Sequence, residues 1–197
     1  DTWIDNDAFL IPENLGSWSA RGGFSFAIME DGTIVWTSER DGFNHIYRSR
    51  SDGRFINQVT RGNWEVNGIN AIDNKNQIIY FSAKKESELE NHIYSVRFNG
   101  SKLKKITKEK GTHSSSFSPT TNYFIDSFSN LNTPPKVVVR NSSGIIKRIL
   151  AQTSREQFDN FGFTYPKLIN IFSNDGVRLN AMITLPHDFN PMKQYPV

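Results

Sequence analysis

The sequence predicts an all-β fold: a partial β-propeller of about three four-stranded antiparallel blades, followed by a β-hairpin. Two observations carry this prediction, an internal repeat with an offset of 47 residues and a series of short apolar strands joined by Asp-Gly and Asn-Gly turns. The composition agrees. Aromatic residues make up 13% of the chain, and they favour the pleated, half-buried surface of a strand.

The repeat is clearest in the motif NHIY, which occupies residues 44–47 and again residues 91–94. The same offset of 47 residues carries Gly53 onto Gly100. A module of three or four short strands that recurs every 40–50 residues or so is typical of propeller blades. A single blade cannot bury both of its faces, so we expect these modules to stack on one another.

The strand that precedes the NHIY motif also repeats, with residues 34–38 matching residues 78–82 at an offset of 44 residues. A third, weaker copy of the module spans residues 123–150. This alignment predicts that Trp36 and Tyr80 occupy equivalent buried positions in successive blades.

The connections between strands favour tight hairpins. Asp52-Gly53 and Asn99-Gly100 each separate two apolar runs, a pattern typical of turns in which both central residues have positive φ. Helix is predicted to be scarce, limited to a turn or two within residues 86–91 and 154–161.

The histidines do not predict a catalytic or metal site. His45 and His92 occupy the same place in two copies of the repeat, as expected of structural residues. His113 is expected in a turn or blade-edge loop, and His187 stands apart from the others. There are no cysteines, and isolated histidines without a second ligand nearby do not form a zinc site. No cofactor is predicted.

The charge of the chain is only mildly basic, with a net charge of +3 and a pI near 9.1. The densest basic run, residues 102–110, is interrupted by Glu109 and is interpreted as a solvated strand and turn, not as a nucleic-acid site. No apolar run approaches the ~18 residues of a membrane span, and the first five residues lack the pattern of a signal peptide.

The C-terminal segment differs from the repeat. Residues 167–172 and 177–185 flank the turn sequence SNDG, and apolar residues alternate with polar ones along the second strand. This is the pattern of a strand with one apolar face. We therefore expect propeller blades over residues 1–160 and the start of a second domain over residues 161–197.

The order of these motifs resembles the propeller of dipeptidyl peptidase IV-like prolyl peptidases. The segments that carry the resemblance are WTSERDGFNHIY (36–47), VTRGNWEV (59–66), IYFSA (79–83), GTH (111–113), FSP (117–119) and TPP (133–135). The segments DGVRLN (175–180), LPHDF (185–189) and YPV (195–197) are similar to the family's first strands of its α/β-hydrolase domain. The resemblance implies a serine exopeptidase that removes N-terminal Xaa-Pro or Xaa-Ala dipeptides, with the propeller admitting only flexible peptide ends.

The catalytic elements of such a peptidase are not found in this sequence. The nucleophile motif G-x-S-x-G is absent, and the resemblance implies that the family's oxyanion tyrosine follows Val197. The family's adjacent glutamate pair is also missing, since Glu86, Glu88 and Glu90 are spaced by two. We therefore assign no catalytic residue and no substrate-binding residue, and an insertion around residues 16–18 departs from the family.

Three functions remain open: a structural and gating fragment of that peptidase, a stand-alone propeller that binds proteins or glycans, and a periplasmic propeller of the translocation-accessory type. Residues 167–197 favour the first, because a binding propeller has no need of them. The resemblance implies a periplasmic, cell-surface or secreted protein. Its partners would be a peptide substrate and the hydrolase domain of the same polypeptide, with no nucleic acid.

A propeller limited to about three blades has two open lateral faces, and exposed strand edges and apolar faces promote association. We therefore expect this chain to form a homodimer or to exchange strands, with residues 167–185 packing on blades or on a partner chain. Light scattering over a dilution series measures this directly. A monomer that persists at high concentration would contradict the prediction.

Overall fold

The computed structural model describes residues 26–156 and 164–195, where regular structure is antiparallel β-sheet apart from helical backbone at Arg155 and Glu156. Three four-stranded sheets follow one another along the chain, and a two-stranded sheet comes last. The first blade contains β1 (Phe26–Ile28), β2 (Ile34–Ser38), β3 (His45–Ser49) and β4 (Phe55–Gln58). The second blade contains β5 (Val66–Asp73), β6 (Ile78–Ala83), β7 (His92–Arg97) and β8 (Lys104–Lys105). The third blade contains β9 (Thr112–Phe117), β10 (Tyr123–Asn130), β11 (Thr133–Asn141) and β12 (Ile146–Gln152), and the hairpin contains β13 (Lys167–Phe172) and β14 (Arg178–Ile183).

Within each blade the strands pair in the order of the sequence, as expected for an up-and-down propeller blade. The pattern of burial shows how the blades stack. Along β10 the side chains of Phe124, Asp126 and Phe128 are buried, while the residues between them are exposed. This blade therefore presents one face to the second blade. The predicted partial propeller with a following hairpin is confirmed.

The NHIY repeat marks equivalent positions in the first two blades. Asn44 precedes β3 and its side-chain amide donates to the carbonyl of Val66, at 2.6 Å, in the next blade. Asn91 precedes β7 and donates in the same way to the carbonyl of His113, at 2.8 Å. The backbone amides of Val66 and His113 donate back to the carbonyls of Asn44 and Asn91, at 2.8 and 2.9 Å. We call this two-way bridge the asparagine clamp.

The predicted equivalence of Trp36 and Tyr80 is wrong by one residue. Trp36 lies opposite Tyr47 on β3, whereas the residue opposite Tyr94 on β7 is Phe81. Because successive residues of a strand point to opposite faces, Trp36 and Tyr80 face opposite sides of their blades. The pattern of residues does not determine this register, since five consecutive residues of β6 are buried and no alternation distinguishes the two faces.

The hairpin turns also differ from the prediction. Gly53, Gly100 and Gly144 have φ of 85, 83 and 88°, but the residue before each glycine does not have positive φ. The amide of Gly53 donates to the carbonyl of Arg50 at 3.0 Å, and the amide of Arg50 donates to the carbonyl of Arg54 at 2.8 Å. This is a type I turn followed by a glycine bulge, not the expected turn with two positive φ values.

Two of these glycines also lie at the contacts between blades. A Cβ atom on Gly100 would lie 2.9 Å from the carbonyl oxygen of Val59 in the preceding blade, and one on Gly144 would overlap the carbonyl oxygen of Ile106. The corresponding space beside Gly53 is open. The sharp turn and the close approach of the next blade therefore both require glycine in the second and third blades.

The core is concentrated between the blades. Between the first two blades Trp64 stacks on Phe81 with a centroid distance of 6.2 Å, and Phe81 stacks on Tyr94 at 5.6 Å. Between the second and third blades Tyr80 packs against Phe117 at 4.7 Å. Aromatic contacts of this kind bury large apolar areas and hold the blades face to face.

The far side of the third blade has no such cover. Ile125 lies opposite Val139 and corresponds by register to Val35 and Tyr80 in the first two blades. Val35 and Tyr80 are 0% and 4% exposed, whereas Ile125 is 43% exposed. The third blade therefore presents an apolar face of the type that the other two blades bury.

The hairpin is exposed on both faces. One face carries Ile169, Ile171, Leu179 and Ile183, all more than a third exposed, so the predicted one-sided strand is present but uncovered. The expected helical turn at residues 86–91 is not formed: Glu86 lies in a bend, Glu88 and Leu89 in a turn, and Asn91 forms a β-bridge with Thr112. The predicted domain boundary at residue 160 and the insertion at residues 16–18 lie outside the described residues.

Replacing Gly144 by Ala should destabilise the chain more than replacing Gly53 by Ala. Both variants place a Cβ atom at positive φ, which costs about 1–2 kcal/mol. Only in Gly144→Ala does the added methyl group also meet the preceding blade, and such overpacking costs a further 1–3 kcal/mol or so. Urea unfolding curves of the two variants measure the difference. Equal losses of stability would show that the blades are not in contact at Gly144.

Candidate functional surface

One end of the blades carries most of the irregular chain. Because the strands are antiparallel, the loops between second and third strands and the linkers between blades come together at this end, while the tight glycine turns lie at the other. We call this end the loop face; it comprises residues 39–44, 59–65, 84–91, 106–111 and 131–132. Loops held by a rigid scaffold are where binding residues are usually found.

Arg40 is held on the loop face by two aromatic rings. Its guanidinium carbon lies 4.5 Å from the ring centroid of Trp36 and 4.9 Å from that of Tyr47. Stacking of this kind contributes about 0.5–1 kcal/mol at an exposed site and restricts the orientation of the guanidinium group. Glu39 and Arg40 are both exposed, so a bound carboxylate could reach Arg40.

Tyr47 does not supply a base at this site. Burial, together with the negative charge of the nearby Asp41, raises the pKa of Tyr47 to about 12. The side-chain amide of Gln58 donates to the Tyr47 hydroxyl at 3.2 Å and to the Asp41 carboxylate at 2.5 Å. Tyr47 therefore stays protonated near neutral pH and acts as packing for Arg40.

The three spaced glutamates do not form a joint anionic site. Glu86 accepts a hydrogen bond from the ammonium group of Lys105 at 2.6 Å, and this bond lowers the pKa of Glu86. Glu90 contacts the Nε2 atom of His92 at 2.9 Å. Glu88 is exposed between them. Since Glu86 and Glu90 bind separate basic groups, the loop does not hold two free carboxylates for a peptide amino terminus.

His45 and His92 have the structural role that their repeat position predicts. Each is almost fully buried, and the Nδ1 atom of each lies 3.0–3.1 Å from the hydroxyl of a threonine, Thr60 or Thr107. Each hydroxyl also accepts a hydrogen bond from the backbone amide that follows the histidine. The hydroxyl keeps its own proton free to bond with Nδ1, so each threonine joins the histidine ring to the backbone of the same strand.

The resulting Thr107–His92–Glu90 chain has the order of a hydroxyl, imidazole and carboxylate triad, but it cannot act as one. Thr107 and His92 are 0% and 1% exposed, so no substrate reaches the hydroxyl. In the equivalent place of the first blade the carboxylate is replaced by the carbonyl oxygen of Gly62, 2.9 Å from Nε2 of His45. The arrangement ties the linker between blades to β3 and β7.

The sequence predicts a turn or blade-edge loop at His113, but this residue lies on strand β9. It belongs to an ionic cluster in which Glu109 is partly exposed and the other side chains are buried. Its Nδ1 atom lies 3.0 Å from both carboxylate oxygens of Asp126, and its Nε2 atom lies 2.8 Å from the carbonyl oxygen of Glu109. Arg140 donates to Asp126 and to the Glu109 carboxylate, both at 2.8 Å. We call these four residues the seam cluster, because they lie where the third blade meets the second.

The remaining sequence candidates give no site. His187 is exposed on the loop after β14, and no group of three or more metal-ligating side chains occurs among residues 26–156 and 164–195. The basic run forms the short strand β8 and its flanks, with Lys105 paired to Glu86. In the same part of the chain, no helix has the length and apolar character needed to cross a membrane.

A cleft of about 750 Å³ opens where the hairpin meets the loop face. Its blade side includes Leu89 and Glu90 from the β6–β7 loop and Thr112 at the start of β9, and its hairpin side includes Leu168 and Met182. Mixed apolar walls with a few polar groups are typical of peptide and small-molecule sites. Residues of both the loop face and the hairpin line this cleft.

Comparison with known sequences identifies a family. The family model described as the dipeptidyl peptidase IV (DPP IV) N-terminal region matches residues 13–135. Dipeptidyl peptidase 4 of Arthroderma otae is 31% identical over 202 aligned positions, covering 100% of this chain and 24% of the relative. Probable dipeptidyl-aminopeptidase B of Colletotrichum graminicola is 33% identical over 174 positions, covering 85% of this chain and 19% of the relative. The chain thus spans between about a fifth and a quarter of the length of these relatives.

Solved structures show the same arrangement of blades. The crystal structure of Porphyromonas gingivalis dipeptidyl peptidase 4 superposes with a TM-score of 0.80 at 27% identity, covering 87% of this chain and 25% of that one. A putative dipeptidyl aminopeptidase IV from Bacteroides ovatus gives a TM-score of 0.75 at 20% identity, over 87% of this chain and 27% of that one, and shares the fold.

Replacing Glu90 by Gln should lower the pKa of His92 further. Burial already holds this pKa below its usual value of 6.5, and the bond to Glu90 partly opposes that shift. A buried neutral histidine contributes stability above pH ~6.5 that decreases as the pH falls. NMR titration of the His92 ring measures the change, with Glu88→Gln in the same loop as the control. A pKa that is unchanged in Glu90→Gln, or lowered equally in Glu88→Gln, would contradict the assigned pair.

Proposed function

This chain belongs to the dipeptidyl peptidase IV family, through the N-terminal region of that family, and on this premise we propose that it forms propeller blades of a serine exopeptidase. The proposed enzyme removes Xaa-Pro or Xaa-Ala dipeptides from the amino termini of peptides. The blades have a structural and gating role, and this chain contributes no catalytic residue to the reaction.

The observation that carries this proposal is the hairpin that follows the blades. Its strands expose apolar side chains on both faces, with Leu168 and Met182 on one and Ile169 and Leu179 on the other. An isolated two-stranded hairpin is at best marginally stable in water. The hairpin is therefore suited to join a larger sheet, and we propose that this sheet belongs to the α/β-hydrolase domain of the same polypeptide.

The gating role is supported by the position of the cleft. Leu89 and Thr112 on the blades face Leu168 and Met182 on the hairpin, so a peptide that passes between propeller and hydrolase domain meets walls from both. Asparagine clamps and close glycine contacts hold neighbouring blades together. A wall of this kind admits a flexible peptide end and excludes a folded protein.

The chemistry of the described residues supports an inactive propeller. Acyl transfer by a serine needs a hydroxyl that is accessible and close to a base. His45, His92 and His113 are all buried in structural contacts, and the sequence has no G-x-S-x-G motif. The nucleophile and its base are therefore proposed to come from the hydrolase domain.

The proposal extends to location and assembly. Membership of this family suggests a periplasmic, cell-surface or secreted protein. The third blade has an exposed apolar face that includes Ile125, and the hairpin is exposed as well. Both surfaces favour packing against another part of the polypeptide or against a second copy of the chain in a homodimer.

Activity assays with Gly-Pro and Ala-Pro chromogenic substrates and a fluorophosphonate probe test the proposal. The full-length polypeptide should cleave the substrates and react with the probe, whereas the 197-residue chain should do neither. Labelling of a serine within this chain would contradict its inactive role. A full-length polypeptide without activity would favour the alternative, a propeller that only binds proteins or glycans.

Gating can be measured in the same full-length polypeptide without any substitution. An Ala-Pro amino terminus on a short flexible peptide should be removed, while the same residues on a folded protein, held close to its surface, should remain. Equal rates for the two substrates would show that the blades do not restrict access.

A further inference from the structure

The buried histidines of the first two blades differ in the group that meets their Nε2 atom. In the first blade Nε2 of His45 lies 2.9 Å from the backbone carbonyl oxygen of Gly62. In the second blade Nε2 of His92 lies 2.9 Å from a carboxylate oxygen of Glu90. Because a carbonyl oxygen is sufficient to hold the ring in the first blade, the negative charge of Glu90 is not needed for that purpose in the second.

Glu90 lies on a wall of the cleft between the loop face and the hairpin. Its side chain is 23% exposed, whereas that of His92 behind it is 1% exposed. A carboxylate oxygen only accepts hydrogen bonds, so Nε2 of His92 carries a proton and donates to Oε2 of Glu90. Among the described residues, no donor bonds the other oxygen, Oε1. The carboxylate therefore has one oxygen bound to a buried ring and one available to a ligand.

From this geometry we infer that Glu90 binds the basic side chain, Lys or Arg, of a peptide that enters the cleft. The inference rests on the proposed passage of peptides between the propeller and the hydrolase domain. The charged end of the side chain donates to the available oxygen of Glu90, and its methylene groups pack on Leu89, Leu168 and Met182. Long basic side chains commonly lie in this way, with the stem on an apolar surface and the charge at a polar group.

The carboxylate is oriented before a ligand arrives. The hydroxyl of Thr107 lies 3.0 Å from Nδ1 of His92 and accepts a hydrogen bond from the next backbone amide of β7, so the ring that orients Glu90 is held on both sides. Asn91, which follows Glu90, is fixed by its clamp on His113. Binding to a preoriented group costs less conformational freedom than binding to a mobile one.

The groups around Glu90 do not neutralise its charge. Burial lowers the pKa of His92, so the ring is uncharged at neutral pH. Lys105 is paired with Glu86. Lys110, the other charged residue that lines the cleft, forms no ion pair with Glu90 within the described part of the chain. A negative charge beside apolar walls attracts a cation more strongly than it does in open water, because the effective dielectric constant is lower.

Peptides that differ in a single charge test the inference in the full-length polypeptide. Each peptide begins with Ala-Pro and carries either Lys or norleucine, which lacks the ammonium group, at one position from the third to the eighth residue. At the position that reaches Glu90, kcat/KM should be roughly three- to tenfold higher for the Lys peptide. This preference should decrease in ~1 M salt, where the Debye length is about 3 Å. The absence of a preference at every position would overturn the inference.

The variant Glu90→Gln identifies the residue responsible. Its amide oxygen can still accept a hydrogen bond from His92, so this contact is retained while the charge is lost. The ratio of the two kcat/KM values should fall to about one in Glu90→Gln, and it should persist in Glu88→Gln, a change in the same loop outside the cleft. An unchanged ratio in Glu90→Gln would overturn the inference.

Direct binding separates a failure of this inference from a failure of the proposed peptidase activity. N-acetylated forms of the same peptides have a neutral amino terminus, so the Lys side chain is the cation that distinguishes them. The acetylated Lys peptide should bind more tightly than the norleucine form in fluorescence anisotropy and should shift the NMR signal of the His92 Nε2 proton, and both effects should be lost in Glu90→Gln. If these effects occur in a polypeptide that cleaves neither free peptide, the proposed activity is wrong and the inference holds. If both free peptides are cleaved at equal rates and the acetylated forms bind equally, the inference is wrong and the proposed activity holds.

Discussion

The contact that the rest of this structure depends on is the asparagine clamp between consecutive blades. The first strand of a blade has an edge that its own sheet does not cover, and unpaired buried backbone groups are costly. Asn44 and Asn91 each bond one residue of that edge: the asparagine side-chain amide donates to its carbonyl, and the asparagine carbonyl accepts from its backbone amide. Because each clamp stands directly before the third strand of its own blade, it sets the position of one blade relative to the next. The loops, the linkers and the cleft beside the hairpin take their places from that arrangement.

The two described contacts between blades use different chemistry on the same frame. Between the first and second blades, Phe81 lies in an aromatic stack with Trp64 and Tyr94. By register, Asp126 occupies the position of Phe81 in the third blade, and an ionic cluster replaces the stack. An apolar stack tolerates changes of pH and salt, whereas a buried ionic cluster specifies its partners but depends on their protonation. The third blade, which leads toward the hairpin, thus has the more selective contact.

Much of the fold could be predicted from the sequence, because the NHIY motif and the spaced glycines mark the repeat directly. The predictions that are wrong concern which face of a strand a given residue lies on. In a strand that is buried on both sides, such as β6, apolar and polar residues do not alternate. The sequence therefore aligns Trp36 with Tyr80, whereas the structure aligns it with Phe81. That this chain contains no catalytic residue is a prediction from its motifs, and it stays a prediction. The sequence analysis does not predict the seam cluster, although a signal is present. Asp126 lies between Phe124 and Phe128 on the inward face of β10, and the inward Arg140 follows a run of three valines on β11. Charged residues at such positions are expected to form an ion pair.

The loop face has a consequence for how such a propeller can change over evolution. The connections between second and third strands contain six residues in the first blade, eight in the second and two in the third, yet the clamps before β3 and β7 keep the same geometry. Lengthening a surface loop adds little entropic cost, and the glycine turns at the opposite end are restricted by the neighbouring blade. New recognition segments can therefore be inserted at one end of the blades while the other end stays unchanged. The molecule thus has an adaptable rim, formed by the loops, and a constant base, formed by the glycine turns that meet the preceding blade.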